Sequence, residues 1–159
     1  MTNDGRLDAS RGRIEFTRDH GHPRRRVWEV LTTPQYRAAW FFPGTLEPHE
    51  GGLVELTESG PGITGRVTAV EKDSLLRMDW DSLEGPHSAV SFELADHHDD
   101  GTRMRFVHHI NPDCRPASLL AGWHRILDSL TAHLDGTEPP TALHADLLER
   151  YQRRDGAGT

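Results

Sequence analysis

The chain changes its hydrophobic period along its length, and the changes divide it into elements. Arg13 to Thr17 (RIEFT) alternates apolar and polar residues, the period of two expected of a half-buried strand. Val27, Val30 and Leu31, with Trp28 beside them, make the apolar face of a short helix. It opens at Pro23, where a first turn tolerates a missing N–H. Thr33-Pro34 ends it and starts a second short helix towards Trp40, because the residue before a proline avoids the helical region. Strands are then predicted at Leu53–Thr57, Ile63–Val70, Leu75–Asp81, Ser88–Ala95 and Thr102–Ile110. Each follows turn chemistry: Gly51-Gly52, Pro61-Gly62, Lys72-Asp73-Ser74, Gly85-Pro86 and the polar tip at 97–101. From Pro116 the period becomes three and four. Leu120, Trp123, Leu127, Leu130 and Leu134 form one stripe of a long helix, and Gly136 stops it. After Pro139-Pro140, the residues Leu143, Leu147, Leu148 and Tyr151 predict a short amphipathic helix.

These elements predict an α+β fold: a curved antiparallel six-stranded sheet gripping a long C-terminal helix, with two short helices between strands 1 and 2. The sheet cannot hide its inner face alone, and the long helix is its natural cover. Residues 1–12 read as a disordered lead-in, 13–136 as the domain, and 137–159 as a tail with its short helix.

Composition narrows the function classes. With 159 residues, 35% hydrophobic and 27% charged, a single soluble globular domain is expected. No apolar run approaches the roughly 20 residues of a membrane helix, so no membrane partner is implied. The net charge of −7 argues against a nucleic-acid partner, which would need a basic patch; Arg24, Arg25 and Arg26 are too few. Arginine occurs 17 times against a lone Lys72, which suggests a GC-rich bacterial source. Met1 to Arg13 lacks an apolar signal core, and the single Cys114 forbids an internal disulfide; both suit the cytoplasm.

The ordered set Pro23-x3-Val27-Trp28-x2-Leu31-Thr32-x-Pro34, Trp40, Gly51-Gly52, Gly65-x-Val67, Leu76 and Trp80 carries a resemblance. It continues through Gly101-Thr102-x-Met104-x-Phe106-x-His108 and Gly122-Trp123-x3-Leu127-x2-Leu130-x3-Leu134. In this order the chain resembles the START/SRPBCC superfamily, the helix-grip fold shared with the birch pollen allergen. Within it the chain looks like the branch named after the activator of heat-shock protein 90 ATPase. The resemblance implies the fold, and a ligandable space between sheet and helix. It transfers little function, since members include carriers, cyclases, receptors and resistance proteins.

Strand parity, together with that resemblance, nominates the ligand-binding wall. Val67, Met78, Trp80, Val90, Phe92, Met104, Phe106 and His108 would come from the sheet, Trp123 and Leu127 from the helix, and Trp40 and Phe42 from the entrance. The competing reading is that these side chains simply fill the core. His108 shares its face with Met104 and Phe106 and should point inward, as a general base, a ligand donor or a neutral core group. His124 could approach it, but no third ligand suggests itself, so no metal and no cofactor are implied. The remaining histidines fall mainly in loops, such as His97-His98 at a hairpin tip. Cys114 has no base near it in sequence, no GxSxG elbow occurs, and Glu55, Asp79 and Glu93 face outward by alternation.

Three functions stay open. The first is binding of an apolar or aromatic small molecule, as carrier, sensor or sequestering protein. The second is a polyketide cyclase/dehydratase-like enzyme using His108. The third is a chaperone-activator or stress-related module with a protein partner. The first ranks ahead, so an enzyme is not the leading expectation.

Overall fold

The computed structural model describes residues 3–56, 62–82, 88–110, 115–141 and 143–157. Thr57, Pro61, Gly85-Pro86 and Cys114 lie outside the described residues. Among the described residues nine strands and four helices follow one another: β1 (Arg6–Asp8), β2 (Arg13–His20), α1 (Arg24–Thr32), α2 (Pro34–Trp40), β3 (Gly44–Leu46), β4 (Leu53–Leu56) and β5 (Ile63–Glu71). Then come β6 (Leu75–Asp79), β7 (Asp81–Ser82), β8 (Ala89–His97), β9 (Gly101–His109), α3 (Pro116–Asp135) and α4 (His144–Ala157). The sheet is antiparallel in the order β1-β2-β9-β8-β6-β5-β4-β3, with β7 pairing β5 off this path.

The α+β architecture expected from the sequence is the one observed. The six anticipated strands are β2, β4, β5, β6, β8 and β9; β1, β3 and β7 are additional. Strands of two or three residues are too short to display a period, so alternation cannot announce them. The lead-in expected at 1–12 contains β1, which pairs with β2 through Arg6↔Glu15 and Asp8↔Arg13. Gly5 passes so close to the core that an added Cβ would lie 2.4 Å from the Phe16 ring.

The register aligns one inner row across five strands: Ile14 opposite His108, His108 opposite Val90, Val90 opposite Met78, and Met78 opposite Val67. A second row carries Phe16, Phe106 and Phe92, with ring centroids 6.1 and 5.2 Å apart. Helix α3 spans 20 residues and lays Leu120, Trp123, Leu127, Leu130 and Leu134 on these rows, all of them buried. Gly136 ends it at φ 68°, a left-handed conformation that costs a glycine little. At Gly44 (φ 131°) an added Cβ would lie 2.1 Å from the Glu55 carbonyl oxygen, so β3 approaches β4 only because the residue is bare. Between Val67 and Ala69 the β5–β6 register shifts, an irregularity of the kind that bends a strand.

The outer face is held by charge. Arg6, Arg13 and Arg105 reach Glu15 at 2.6, 2.7 and 2.6 Å. Burial alone would raise the Glu15 carboxyl, but these guanidiniums outweigh it and hold it below its usual range. Arg105 also pairs with Glu93, and Arg103 with Asp19, so several arginines tie neighbouring strands. Glu15→Gln leaves three cations without a shared anion. We expect a loss of about 1–2 kcal/mol in urea unfolding, held down by the exposure of Arg6 and Arg105. A loss below the scatter of the measurement would show that the cluster contributes nothing.

Candidate functional site

A ladder of aromatic rings runs from the surface into the core. The short helix α2 ends at Trp40, whose indole N–H donates to the Val30 carbonyl at 3.1 Å and so locks the ring against α1. The chain leaves the helix in an extended conformation, which turns Phe41 and Phe42 away from it. Phe41 stacks on Trp40 (5.2 Å, 14°), on Phe42 (4.7 Å, 21°) and on Trp80 (5.6 Å, 16°). Trp80 meets Trp123 at 5.3 Å, and Trp123 meets Phe106 at 4.3 Å. Offset stacks of this kind add about 0.5–1.5 kcal/mol per pair beyond burial.

His108 sits behind the ladder with both ring nitrogens engaged. The Trp123 indole N–H donates to His108 Nδ1 at 3.0 Å. Because an indole can only donate, Nδ1 must carry the lone pair and Nε2 the proton. His108 Nε2 then donates to Ser88 Oγ at 3.0 Å, and the Ser88 hydroxyl donates to the Trp80 carbonyl. Burial, aided by the His109 charge, pushes the His108 pKa down to about 4, so the ring is neutral at ordinary pH. The lone pair that a general base would use is already occupied. His124 does not approach His108: its Nδ1 meets the Tyr151 hydroxyl at 2.8 Å and its Nε2 meets Asp128 at 3.3 Å.

Where the ladder surfaces, a cleft of about 410 Å3 opens beside α3. Trp40, Phe41 and Phe42 form one wall, and Pro139-Pro140 of the α3–α4 connection also line it. Gly122, Arg125, Ile126 and Ser129, one turn apart on α3, contribute from the helix with Asp128 beside them. The volume suits a small ligand, whose sites run from roughly 300 to 1,000 Å3. A Cβ built on Gly122 would meet no atom within 4 Å, so the bare backbone leaves space there.

Of the nominated wall residues, Trp40 and Phe42 line this cleft. Trp80, Phe106, His108 and Trp123 make the ring and hydrogen-bond cluster behind Phe41. Val67, Met78, Val90, Phe92, Met104 and Leu127 are buried in the core between sheet and helix.

The sequence of residues 21–135 matches the family described as "Activator of Hsp90 ATPase homolog 1-like protein". The chain belongs to this family. The match starts just after β2 and ends with α3, so it takes in both cleft walls except Pro139-Pro140. No curated protein matches the chain. Solved structures share its fold. CalU16 from Micromonospora echinospora is 22% identical at a TM-score of 0.76, covering 91% of this chain and 86% of its own. Protein MLL2253 from Mesorhizobium loti is 26% identical at a TM-score of 0.72, covering 79% and 98%. DynU16, a protein of the dynemicin biosynthetic locus, is 23% identical at a TM-score of 0.72; this chain spans 80% of its own length and 49% of that one. No helix of this family member is long and apolar enough to cross a membrane, among the described residues.

The cleft residues that sequence reasoning missed are Phe41, Gly122, Arg125, Ile126, Asp128, Ser129 and the diproline. The run Trp40-Phe41-Phe42 was a usable signal, since three consecutive aromatics exceed what one helix face can bury. Arg125 and Ser129 gave none, because polar residues on the far side of an amphipathic helix read as solvated.

Arg37 is a buried cation whose hydrogen bonding is incomplete among the described residues. Arg37 on α2 is 1% exposed and donates from one nitrogen to the Gly44 carbonyl at 2.7 Å. Its Nε and other terminal nitrogen have no hydrogen-bond partner among the described residues, and burial lowers its pKa. Both nitrogens are closed off from solvent, so the guanidinium opens on no ligand space and braces α2 against β3.

Proposed function

We propose that this chain binds an apolar, aromatic small molecule in the cleft between Trp40–Phe42 and α3. The observation that carries the reading is the near-parallel stack Phe42–Phe41–Trp80, which begins on the cleft wall and continues to Trp123. A flat ligand can extend such a stack at no backbone cost. The fold supports the reading; DynU16, which shares it, is a protein in the dynemicin biosynthetic locus. The carrier or sequestering role is favoured over the cyclase role, because Trp123 occupies the nitrogen on which His108 would act as a base.

Native mass spectrometry on freshly purified protein, followed by denaturing extraction, is the direct test. A co-purifying apolar molecule that raises the melting temperature when added back supports the proposal. Gly122→Leu then locates it. Leucine fills the space above the bare helical backbone, while its higher helix propensity stabilises α3 by up to about 1 kcal/mol. The expected variant is at least as stable as the parent and has lost the ligand. Undiminished binding in Gly122→Leu would move the ligand out of the cleft.

A further inference from the structure

We infer that the cleft selects a flat aromatic ligand bearing a carboxylate, and that Arg125 is the group that receives it. This inference rests on the cleft being the binding site.

Charge is unevenly balanced on the cleft walls. Two described lining side chains are charged, Arg125 and Asp128. Asp128 is already spoken for: Arg18, itself 3% exposed, donates to one carboxylate oxygen at 2.7 Å, and His124 meets the other at 3.3 Å. Burial would raise the Asp128 carboxyl, yet these partners hold it below its usual range. Its negative charge is therefore neutralised from behind. Arg125 has no carboxylate partner among the described residues. The cleft is left locally positive on a chain whose net charge is −7.

Position adds to charge. Arg125 and Ser129 are four residues apart on α3, so their side chains are neighbours on one helix face. Both line the cleft with the aromatic residues Trp40, Phe41 and Phe42. A ring stacked on those aromatics would carry its acid group within reach of a guanidinium, which holds a carboxylate with two parallel N–H donors, and of a hydroxyl. An uncharged apolar ligand would use the aromatic wall and leave Arg125 idle.

The test titrates naphthoate and its neutral methyl ester into the protein at neutral pH, read by tryptophan fluorescence and calorimetry. The parent should bind naphthoate about tenfold more tightly than the ester, the scale of a hydrogen bond to a charged group. The preference should weaken as salt is added. Arg125→Gln should bind the two compounds alike, at the affinity the parent shows for the ester. If the parent binds both equally, the acid selection is wrong and the aromatic-ligand reading stands. A preference that survives Arg125→Gln would assign it to another residue. If the parent binds neither compound, both the inference and the function beneath it fail.

Discussion

His108→Phe is expected to destabilise the protein by about 2–3 kcal/mol, the cost of leaving a buried donor unpaired and a second hydrogen bond unmade. The phenyl ring is one atom larger than imidazole, so fitting it adds a packing cost. The main loss comes from hydrogen bonds: the Trp123 indole N–H loses its acceptor, and Ser88 Oγ loses its donor. Trp123 is 4% exposed and cannot turn to water for a replacement. At about 2–4 °C per kcal/mol for a chain of this size, the melting temperature should drop by roughly 5–10 °C. Trp123→Phe provides the control. Removing both partners abolishes the orphaned donor, so the double variant should lose about 1 kcal/mol less than the two single losses together. A His108→Phe protein that melts within about 2 °C of the parent would show that the ring is not a structural hydrogen-bonding group. It would then return His108 to the list of residues that meet a ligand.

Acid should unfold this protein earlier than its carboxylates alone would dictate. His20 and His108 are both buried, and burial pushes each pKa from 6.5 down to about 4. For His20 the Arg18 charge adds to the effect, and its two ring nitrogens have no hydrogen-bond partner among the described residues. Between these pKa values the unfolded chain binds protons that the folded chain refuses. Stability is thus complete above pH 6.5 and falls as the pH drops towards 4, where the folded ring titrates too. At about 1.4 kcal/mol per pKa unit the cost approaches 3 kcal/mol for each histidine, a large part of the 5–15 kcal/mol of a typical domain. His109, held low by burial and nearby arginines, acts in the same direction. Below that window a second loss follows, as Glu15, Asp19 and Asp128 surrender pKa values that the folded state holds low. Urea midpoints measured at intervals between pH 7.5 and 3.5 should show the first decline well above the carboxylate range. A flat profile down to pH 4.5 would contradict the burial of these rings. His108→Phe, less stable at neutral pH, should have the shallower slope.

Much of the chemistry around the cleft depends on residues distant in sequence. Tyr151 of α4 accepts from the Gly5 backbone N–H at 2.9 Å and meets His124 of α3 at 2.8 Å, so both ends of the chain pin the helix that forms one side of the cleft. Alternation placed Met104, Phe106 and His108 on the inner face correctly, because residues two apart on a strand must share a side. It also placed Val107 outside, where the structure finds it 3% exposed. That residue stands opposite Glu15 in a row overlaid by arginines, whose long stems cover what strand parity leaves bare.

The sequence by itself determined the order of the four helices and of six of the strands, the inner faces of those strands and the stripe by which α3 covers them. All of these follow from periods that backbone geometry imposes locally. It also nominated His108 as buried. Only the tertiary structure decided what His108 does, since its neutral tautomer is set by Trp123, fifteen residues away and on another element. The cleft was decided there as well. Phe41 and Arg125 are far apart in the chain, and neither belongs to a periodic pattern. They become neighbours because the sheet, α2 and α3 pack at one particular angle. Packing is a property of the whole fold, and no local window of residues carries it.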